Sequence, residues 1–257
     1  TARYEDARKK IADFIGAPDP AELILSRGTT ESVNLVAAAW GNKFVERGDE
    51  IVVTRLEHHS NFVPWQALAL RKGAKFSIVD ITKDGLISLD SLDEVLARRP
   101  KILAFTMMSN ALGTLQDVAE ISKRAKAQGT IVFVDAAQGI PHSVAKIQDL
   151  GPIDFLAFSA HKMCGPSGVG ALWGRREILQ EMDPYQFGGD MIAEVGDQST
   201  SWNELPWKFE AGTPSIADGI GFAAAVDYLS LVGRESIHDW EMQLAKAALE
   251  RLGKIPG

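Results

Sequence analysis

The sequence predicts an α/β fold built on a mostly parallel sheet of seven strands, with helices on both faces. Short apolar runs rich in β-forming residues recur about every 25 residues, and several of the segments between them have helical periodicity. The run at residues 169–173 follows its predecessor by only about ten residues, too few for a helical crossover. We therefore expect that one strand to run antiparallel.

The elements alternate along the chain. The predicted strands are the seven runs at residues 23–25, 51–54, 76–79, 102–106, 131–134, 154–158 and 169–173. Helical periodicity is found at residues 4–15, 31–40, 62–70, 89–96, 118–127, 220–231 and 237–252. We expect residues 1–232 to form one large domain and residues 233–257 to be a helix leading toward a smaller C-terminal domain. The abrupt ends of the sequence indicate a piece of a longer polypeptide.

Composition narrows the classes of function. The chain of 257 residues has 27 basic and 34 acidic side chains, a net charge of −7, which disfavours a nucleic-acid or anionic-membrane partner. No apolar run approaches the ~18 residues that a membrane span requires. The single cysteine rules out an internal disulfide and disfavours a cysteine-based metal cluster. We expect a cytoplasmic protein with no metal site.

Candidate site groups follow five of the predicted strands, where each strand ends. These groups are Ser26 to Thr30, Glu57 to His59, Ser109 with Asn110, Asp135 with Gln138, and Ser159 with His161 and Lys162. In open α/β sheets, ligands bind outside the carboxyl ends of the strands. We therefore expect the five groups to form one pocket.

Lys162 and Asp135 carry the most specific chemistry in this set. Lys162 lies in SAHKMCGPSGVG (159–170), directly after an apolar strand. Asp135 lies in VDAAQ (134–138), at the end of the apolar run at residues 131–134. An uncompensated carboxylate is costly to bury there, and a protonated pyridine nitrogen would compensate it. The pair suggests a pyridoxal phosphate site in which Lys162 carries the Schiff base. A surface lysine and a helix-capping aspartate are the alternatives.

Two further motifs fit such a cofactor. In RGTTESVN (27–34), Gly28 permits close backbone approach, and Thr29 or Thr30 caps a helix, which makes an anion site suited to a phosphate. An ordinary cap without a ligand is the alternative. Only one of His58 and His59 can face the pocket from an extended chain. We expect His59 to stack on the ring, with a surface or loop position as its alternative.

Cys164 is not expected to be a nucleophile. It lies two residues from Lys162 in a turn rich in glycine and proline, and nothing in the sequence around it indicates an activated thiol. Adjacent histidines point apart and no second pair has metal-ligand spacing, so the histidines do not indicate a metal site either.

The motifs together resemble the class V aminotransferase superfamily, enzymes of pyridoxal phosphate fold type I. The segments that carry the resemblance are RGTTESVN, EHHSNFVPW (57–65), SNALGT (109–114), VDAAQ, SAHKMCGPSGVG and FEAGTPS (209–215). They occur in the family's order and approximate spacing over nearly the whole chain. Within the superfamily the chain most resembles the cysteine desulfurases of the sulfur-mobilising type, also called selenocysteine lyases.

The resemblance implies a role for each site residue. Lys162 would hold the cofactor and act in catalysis with His59, while Asp135 would pair with the ring nitrogen. The remaining implied cofactor contacts are the phosphate-holding Thr29, Thr30, Ser159 and His161, and Asn110 and Gln138 near the ring oxygen. Thr213 would reach the phosphate of a neighbouring subunit, which implies a homodimer with shared active sites.

The resemblance also implies a reaction. A cysteine desulfurase removes sulfur from L-cysteine, or selenium from L-selenocysteine, and leaves L-alanine. The sulfur forms a persulfide on an enzyme cysteine and passes to an acceptor protein for iron–sulfur cluster assembly. The family's persulfide cysteine and its substrate-carboxylate arginine belong to a small domain that this sequence does not contain. The alternatives are another class V enzyme (an aminotransferase, epimerase or C–S lyase) and an inactive cofactor-binding fragment.

Overall fold

The computed structural model of the chain describes residues 2–255. Within them the strands, in chain order, are β1 (Leu23–Ser26), β2 (Glu50–Thr54), β3 (Lys75–Val79), β4 (Ile102–Thr106), β5 (Ile131–Asp135), β6 (Phe155–Ser159), β7 (Gly170–Gly174), β8 (Ile192–Val195) and β9 (Thr200–Trp202). The α-helices of the same residues are α1 (Ala2–Ile15), α2 (Thr29–Val36), α3 (Asn42–Phe44), α4 (Val63–Lys72), α5 (Leu89–Leu96), α6 (Val118–Ala127), α7 (Gly139–His142), α8 (Arg176–Glu181), α9 (Ile216–Val232) and α10 (Arg234–Leu252).

Seven of these strands form one sheet in the order β1-β7-β6-β5-β4-β2-β3. The pairs from β3 through β6 are parallel, and β7 is antiparallel to both β6 and β1. Since β7 is reversed against both neighbours, β1 runs in the same direction as β2 to β6. The predicted sheet of seven strands with one antiparallel strand is therefore confirmed.

The strands form because their apolar side chains are buried on both faces. Along β4, Leu103 and Phe105 enter one core, while Ile102 and Ala104 enter the other. The first core also takes residues from helices α1, α5, α6 and α9, and the second takes residues from α2, α4 and α8. Continuous apolar runs are typical of parallel strands covered on both sides, so the expected layers of helices are present.

The predicted boundaries of the sheet strands hold to within one residue, but the helices differ more. The helix expected at 31–40 begins at Thr29, and after Val36 it continues as a wider π-type turn over Ala37–Gly41. The small β8–β9 hairpin was not predicted, because its residues are almost all exposed and show no apolar periodicity.

The last helix differs from the others in its burial. None of the residues of α10 is buried. Within residues 2–255, no single helix is long and apolar enough to cross a bilayer. Helices α9 and α10 meet that length and composition test only as a pair, and they are bent by 74° at their junction. The predicted division after residue 232 falls at the junction between α9 and α10 and stays a prediction. Residues 1, 256 and 257 of the two predicted segments lie outside the described residues.

The two-sided core predicts a large difference between two leucines. Leu103 is fully buried in β4, whereas Leu70 in α4 is 86% exposed. We expect Leu103→Ala to lower the free energy of unfolding by about 2–5 kcal/mol, since it removes buried methyl groups and leaves a cavity. Leu70→Ala, the matched control, should change it by less than about 0.5 kcal/mol. Equal effects in urea denaturation would contradict this assignment of the core.

Candidate functional site

A cavity of about 220 Å³ opens at the carboxyl ends of the parallel strands. Its wall contains at least one residue from each of the five predicted groups. The lining residues are Thr29, Thr30, His58, Ser60, Thr106, Met108, Asn110, Asp135, Ala137, Gln138, Ser159, His161 and Lys162. Strands β1, β2, β4, β5 and β6 all end here because they run in the same direction. The sheet therefore brings together side chains that are as much as 133 residues apart in sequence (Thr29 to Lys162).

Asp135 is the last residue of β5 and is only 3% exposed. Among the described residues, the one hydrogen bond to its carboxylate comes from the Ala137 N–H, at 2.9 Å to Oδ1. Burial raises the pKa of Asp135, and the Ala137 N–H and the positive charge of Lys162 oppose that rise. A buried carboxylate with one oxygen left unpaired is suited to a cationic ligand.

Lys162 ends the short 3₁₀ turn Ala160–Lys162 that follows β6. Its side chain is half-buried and lies in the same cavity wall as Asp135. Among residues 2–255, its amine makes no hydrogen bond and no ion pair, although its charge acts on the Asp135 carboxyl. An amine in this position is available for covalent chemistry with a ligand in the cavity.

Hydroxyl groups line the corner between β6 and the start of α2. The Thr29 N–H donates to Ser159 Oγ at 2.8 Å, and the hydroxyls of the two residues are also 2.8 Å apart. The turn can pack this closely because of two glycines. Gly28 has a φ of +142°, and a side chain on Gly170 would place its Cβ 2.6 Å from the Gly28 Cα. Hydroxyls and free N–H groups at a helix N-terminus are suited to a phosphate.

The structure corrects the sequence-based choice between the two histidines. His58 lines the cavity and His59 is not among the lining residues. The segment is not extended there: His58 caps the 3₁₀ turn His59–Asn61, and its Nδ1 accepts a hydrogen bond from the Ser60 N–H at 3.1 Å. The turn places His58 and Ser60 in the wall, and Ser60 Oγ lies 2.7 Å from Thr30 Oγ1.

The other expected residues divide into two sets. Asn110, Gln138 and His161 line the cavity, as do Thr29, Thr30, Asp135, Ser159 and Lys162. Thr213 does not; it is exposed and lines a separate cavity. Its expected contact with a neighbouring subunit stays a prediction. Among the described residues, no cluster of three histidine, cysteine or acidic side chains could hold a metal ion.

Sequence reasoning did not assign Ser60, Thr106 or Met108 to the site. Thr106 closes β4 as Asp135 closes β5, so the strand-end rule could have found it. Ser60 carries no such signal, because its place in the wall depends on the 3₁₀ turn. Glu57 was included in a group but given no role, and its carboxyl lies behind the wall.

The sequence that adopts this fold matches the aminotransferase class V family. The chain belongs to that family, since the family's sequence model matches residues 1–257. The family resemblance inferred from the motifs is therefore confirmed.

Within the family, the relatives compared with this chain are cysteine desulfurases. The chain is 46% identical over 257 residues to a probable cysteine desulfurase of Halalkalibacterium halodurans, an alignment that covers 100% of this chain and 63% of the relative. It is 45% identical over 250 residues to a cysteine desulfurase of Haloferax volcanii, covering 97% and 58%. The crystal structure of the cysteine desulfurase CsdA from Escherichia coli superposes with a TM-score of 0.96 at 42% identity, over 100% of this chain and 64% of that one. The chain thus spans less than two thirds of the length of these proteins.

The environment of Glu57 predicts a pH effect on stability. Burial raises the pKa of the Glu57 carboxyl from 4.5 to about 8, with the negative charge of Asp135 adding to the rise. The folded chain therefore keeps a proton that the unfolded chain releases near pH 4.5, so the free energy of unfolding falls as the pH rises from about 5 to 8. Glu57→Gln removes this titration.

Denaturant unfolding of the cofactor-free protein at pH 5 and pH 8 measures the effect. The decline should be smaller in Glu57→Gln than in the wild type by at least about 1 kcal/mol, because one unit of pKa shift corresponds to about 1.4 kcal/mol. Parallel declines in the two proteins would show that Glu57 is ionised throughout this range.

Proposed function

We propose that this chain is the cofactor-binding part of a pyridoxal phosphate-dependent cysteine desulfurase. One observation carries the proposal. The buried Asp135 carboxyl and the unpaired Lys162 amine lie in one cavity, at the ends of the adjacent parallel strands β5 and β6. The desulfurase names of relatives at 45–46% identity favour this activity over the other chemistries of the family.

The residues of the cavity fit the four polar parts of pyridoxal phosphate. The Asp135 carboxylate fits a protonated ring nitrogen, since it is buried and accepts one hydrogen bond from the described residues. The Lys162 amine fits the aldehyde. The hydroxyls of Thr29, Thr30 and Ser159, together with the start of α2, fit the phosphate, and His161 lies in the same wall. Asn110 and Gln138 supply amides for the ring oxygen.

Each side chain then has a definite task. Bound pyridoxal phosphate supplies an electron sink that stabilises negative charge at the substrate Cα. Asp135 keeps the ring nitrogen protonated, which strengthens that sink. Lys162 would hold the cofactor covalently, and its amine would be the general base for the proton at the substrate Cα. His58 lies in the wall and would stack on the ring, the role expected of His59 from the sequence, while His161 would lie near the phosphate.

The reaction takes L-cysteine to L-alanine. The bond from the substrate Cβ to sulfur breaks, the sulfur bonds to the thiol of an enzyme cysteine, and the Cβ gains a proton, so that the thiol becomes a persulfide. Cys164 is exposed and does not line the cavity, so we assign the thiol to a segment outside this sequence. L-selenocysteine is the alternative substrate.

The same proposal includes the partners. The enzyme acts in the cytoplasm as a homodimer, in which Thr213 contacts the phosphate in the neighbouring subunit's site, and an acceptor protein takes the sulfur for iron–sulfur cluster assembly. The exposure of Thr213 and its position outside the cavity of its own chain support this arrangement.

Covalent attachment at Lys162 is the direct test of the cofactor. We expect the chain mixed with pyridoxal phosphate to be yellow and, after borohydride reduction, to carry the pyridoxyl mass on the peptide containing Lys162. Lys162→Ala should lose the adduct, whereas Lys123→Ala, which changes an exposed lysine of α6, should keep it. A wild-type chain with no adduct, or an adduct on another lysine, would refute the proposal.

Asp135 has a matched control at the other end of the sheet. Asp154 is also buried, but it pairs with Lys126 at 2.8 Å just before β6 begins. We expect Asp135→Asn to weaken pyridoxal phosphate binding by about tenfold or more, the equivalent of about 1.4 kcal/mol, because the charged partner of the ring nitrogen is lost. Asp154→Asn should lower stability and leave cofactor affinity unchanged. Equal cofactor affinities in titrations of the two variants would contradict the role of Asp135.

A further inference from the structure

Glu57 joins three segments directly behind the wall of the cavity. Its Oε1 accepts hydrogen bonds from the Thr106 N–H, at 3.1 Å, and from the hydroxyl of Thr54. Its Oε2 accepts from Asn61 Nδ2 at 2.6 Å. Thr54 ends β2 and Thr106 ends β4, so one carboxyl ties the ends of two adjacent strands to the turn that follows β2.

The turn is also fixed at its far end. Asn61 Oδ1 accepts a hydrogen bond from Trp65 Nε1 at 2.9 Å, and both residues are fully buried. Between Glu57 and Asn61 lie His58 and Ser60, the two residues of this turn that line the cavity. The carboxyl of Glu57 therefore determines where these two wall residues lie, although Glu57 itself does not line the cavity.

The charge environment of Glu57 differs from that of other buried acids in the chain. Glu50 pairs with Arg98 at 2.7 Å, and Glu210 pairs with Arg8 at 2.6 Å. Within residues 2–255, Glu57 has no cationic partner, and the charge of Asp135 that acts on its carboxyl is repulsive. A buried acid without a cation lowers stability, so a contribution to stability does not account for this carboxyl.

We propose that Glu57 is a positioning residue of the pyridoxal phosphate site, holding His58 and Ser60 in the cavity wall through its bonds to Thr106 and Asn61. This inference rests on the proposed function for the identity of the ligand. The inference is consistent with the raised pKa of the Glu57 carboxyl. A neutral carboxyl can still accept hydrogen bonds from Asn61 and Thr106, and it adds no second negative charge beside Asp135.

Two substitutions of Glu57 separate positioning from stability. Glu57→Ala removes both acceptor oxygens, and Glu57→Gln keeps one and directs an amide donor at the other partner. The control is Glu50→Gln, which changes a buried acid at the start of β2, the strand that ends three residues before Glu57. The measurements are pyridoxal phosphate affinity, the visible circular dichroism of the bound cofactor at saturation, and hydrogen exchange of residues 57–65 in the cofactor-free protein.

We expect Glu57→Ala to weaken cofactor binding about tenfold, as for the loss of buried hydrogen bonds. The circular dichroism per bound cofactor should fall and exchange over residues 57–65 should rise, with Glu57→Gln between Glu57→Ala and the wild type. Glu50→Gln should lower stability alone. An unchanged circular dichroism at saturation, or unchanged exchange over 57–65, would overturn the inference. If the wild type forms no adduct at Lys162, the proposed function fails, and the exchange measurement still decides whether Glu57 holds the turn.

Discussion

The parallel pairing of β5 with β6 places Asp135 and Lys162 in one cavity wall. Asp135 aligns with Ala157, and Lys162 follows three residues after the end of β6, so the carboxyl and the amine project from the same edge of the sheet. An antiparallel pairing would send the two groups to opposite edges. The register depends in turn on the apolar faces of both strands, because a shift by one residue would move every side chain to the other core. The chemistry of the site thus depends on the packing of the sheet.

Two buried carboxyls, Asp135 in the cavity wall and Glu57 behind it, have different partners. The positive charge of Lys162 acts on the Asp135 carboxyl, while the hydrogen-bond donors to Glu57 among residues 2–255 are uncharged. Burial raises the pKa of both carboxyls, and the difference in partners gives them different uses. A carboxyl facing a cavity with a cation beside it is suited to a cationic ring, and a neutral carboxyl behind the wall is suited to holding backbone and amide groups in place.

The membership of the chain in the class V family agrees with a pyridoxal phosphate site in this cavity. The cysteine desulfurase relatives favour one activity among those of the family. These relatives are longer than the chain, so the thiol, the substrate-carboxylate arginine and the partner contacts of the complete enzyme belong to the proposal. The cavity contains the groups to which we assign cofactor binding and proton transfer at the substrate Cα. It lacks, among the residues described, the cysteine that would accept sulfur.

The sequence by itself determined the seven strands of the main sheet, the reversed β7, and the meeting of Lys162 and Asp135 at the strand ends in one cavity. Each follows from a local signal: an apolar run, a connection too short for a helix, or a polar residue closing a strand. The tertiary structure alone decided that His58 and not His59 enters the wall, that Ser60 joins it, and that Glu57 binds behind it. Those outcomes depend on the 3₁₀ turn after β2, which hydrogen bonds of Glu57 and Asn61 connect to β4 and α4. Such contacts join segments that are distant in sequence, so no segment shows a periodic pattern that would predict them.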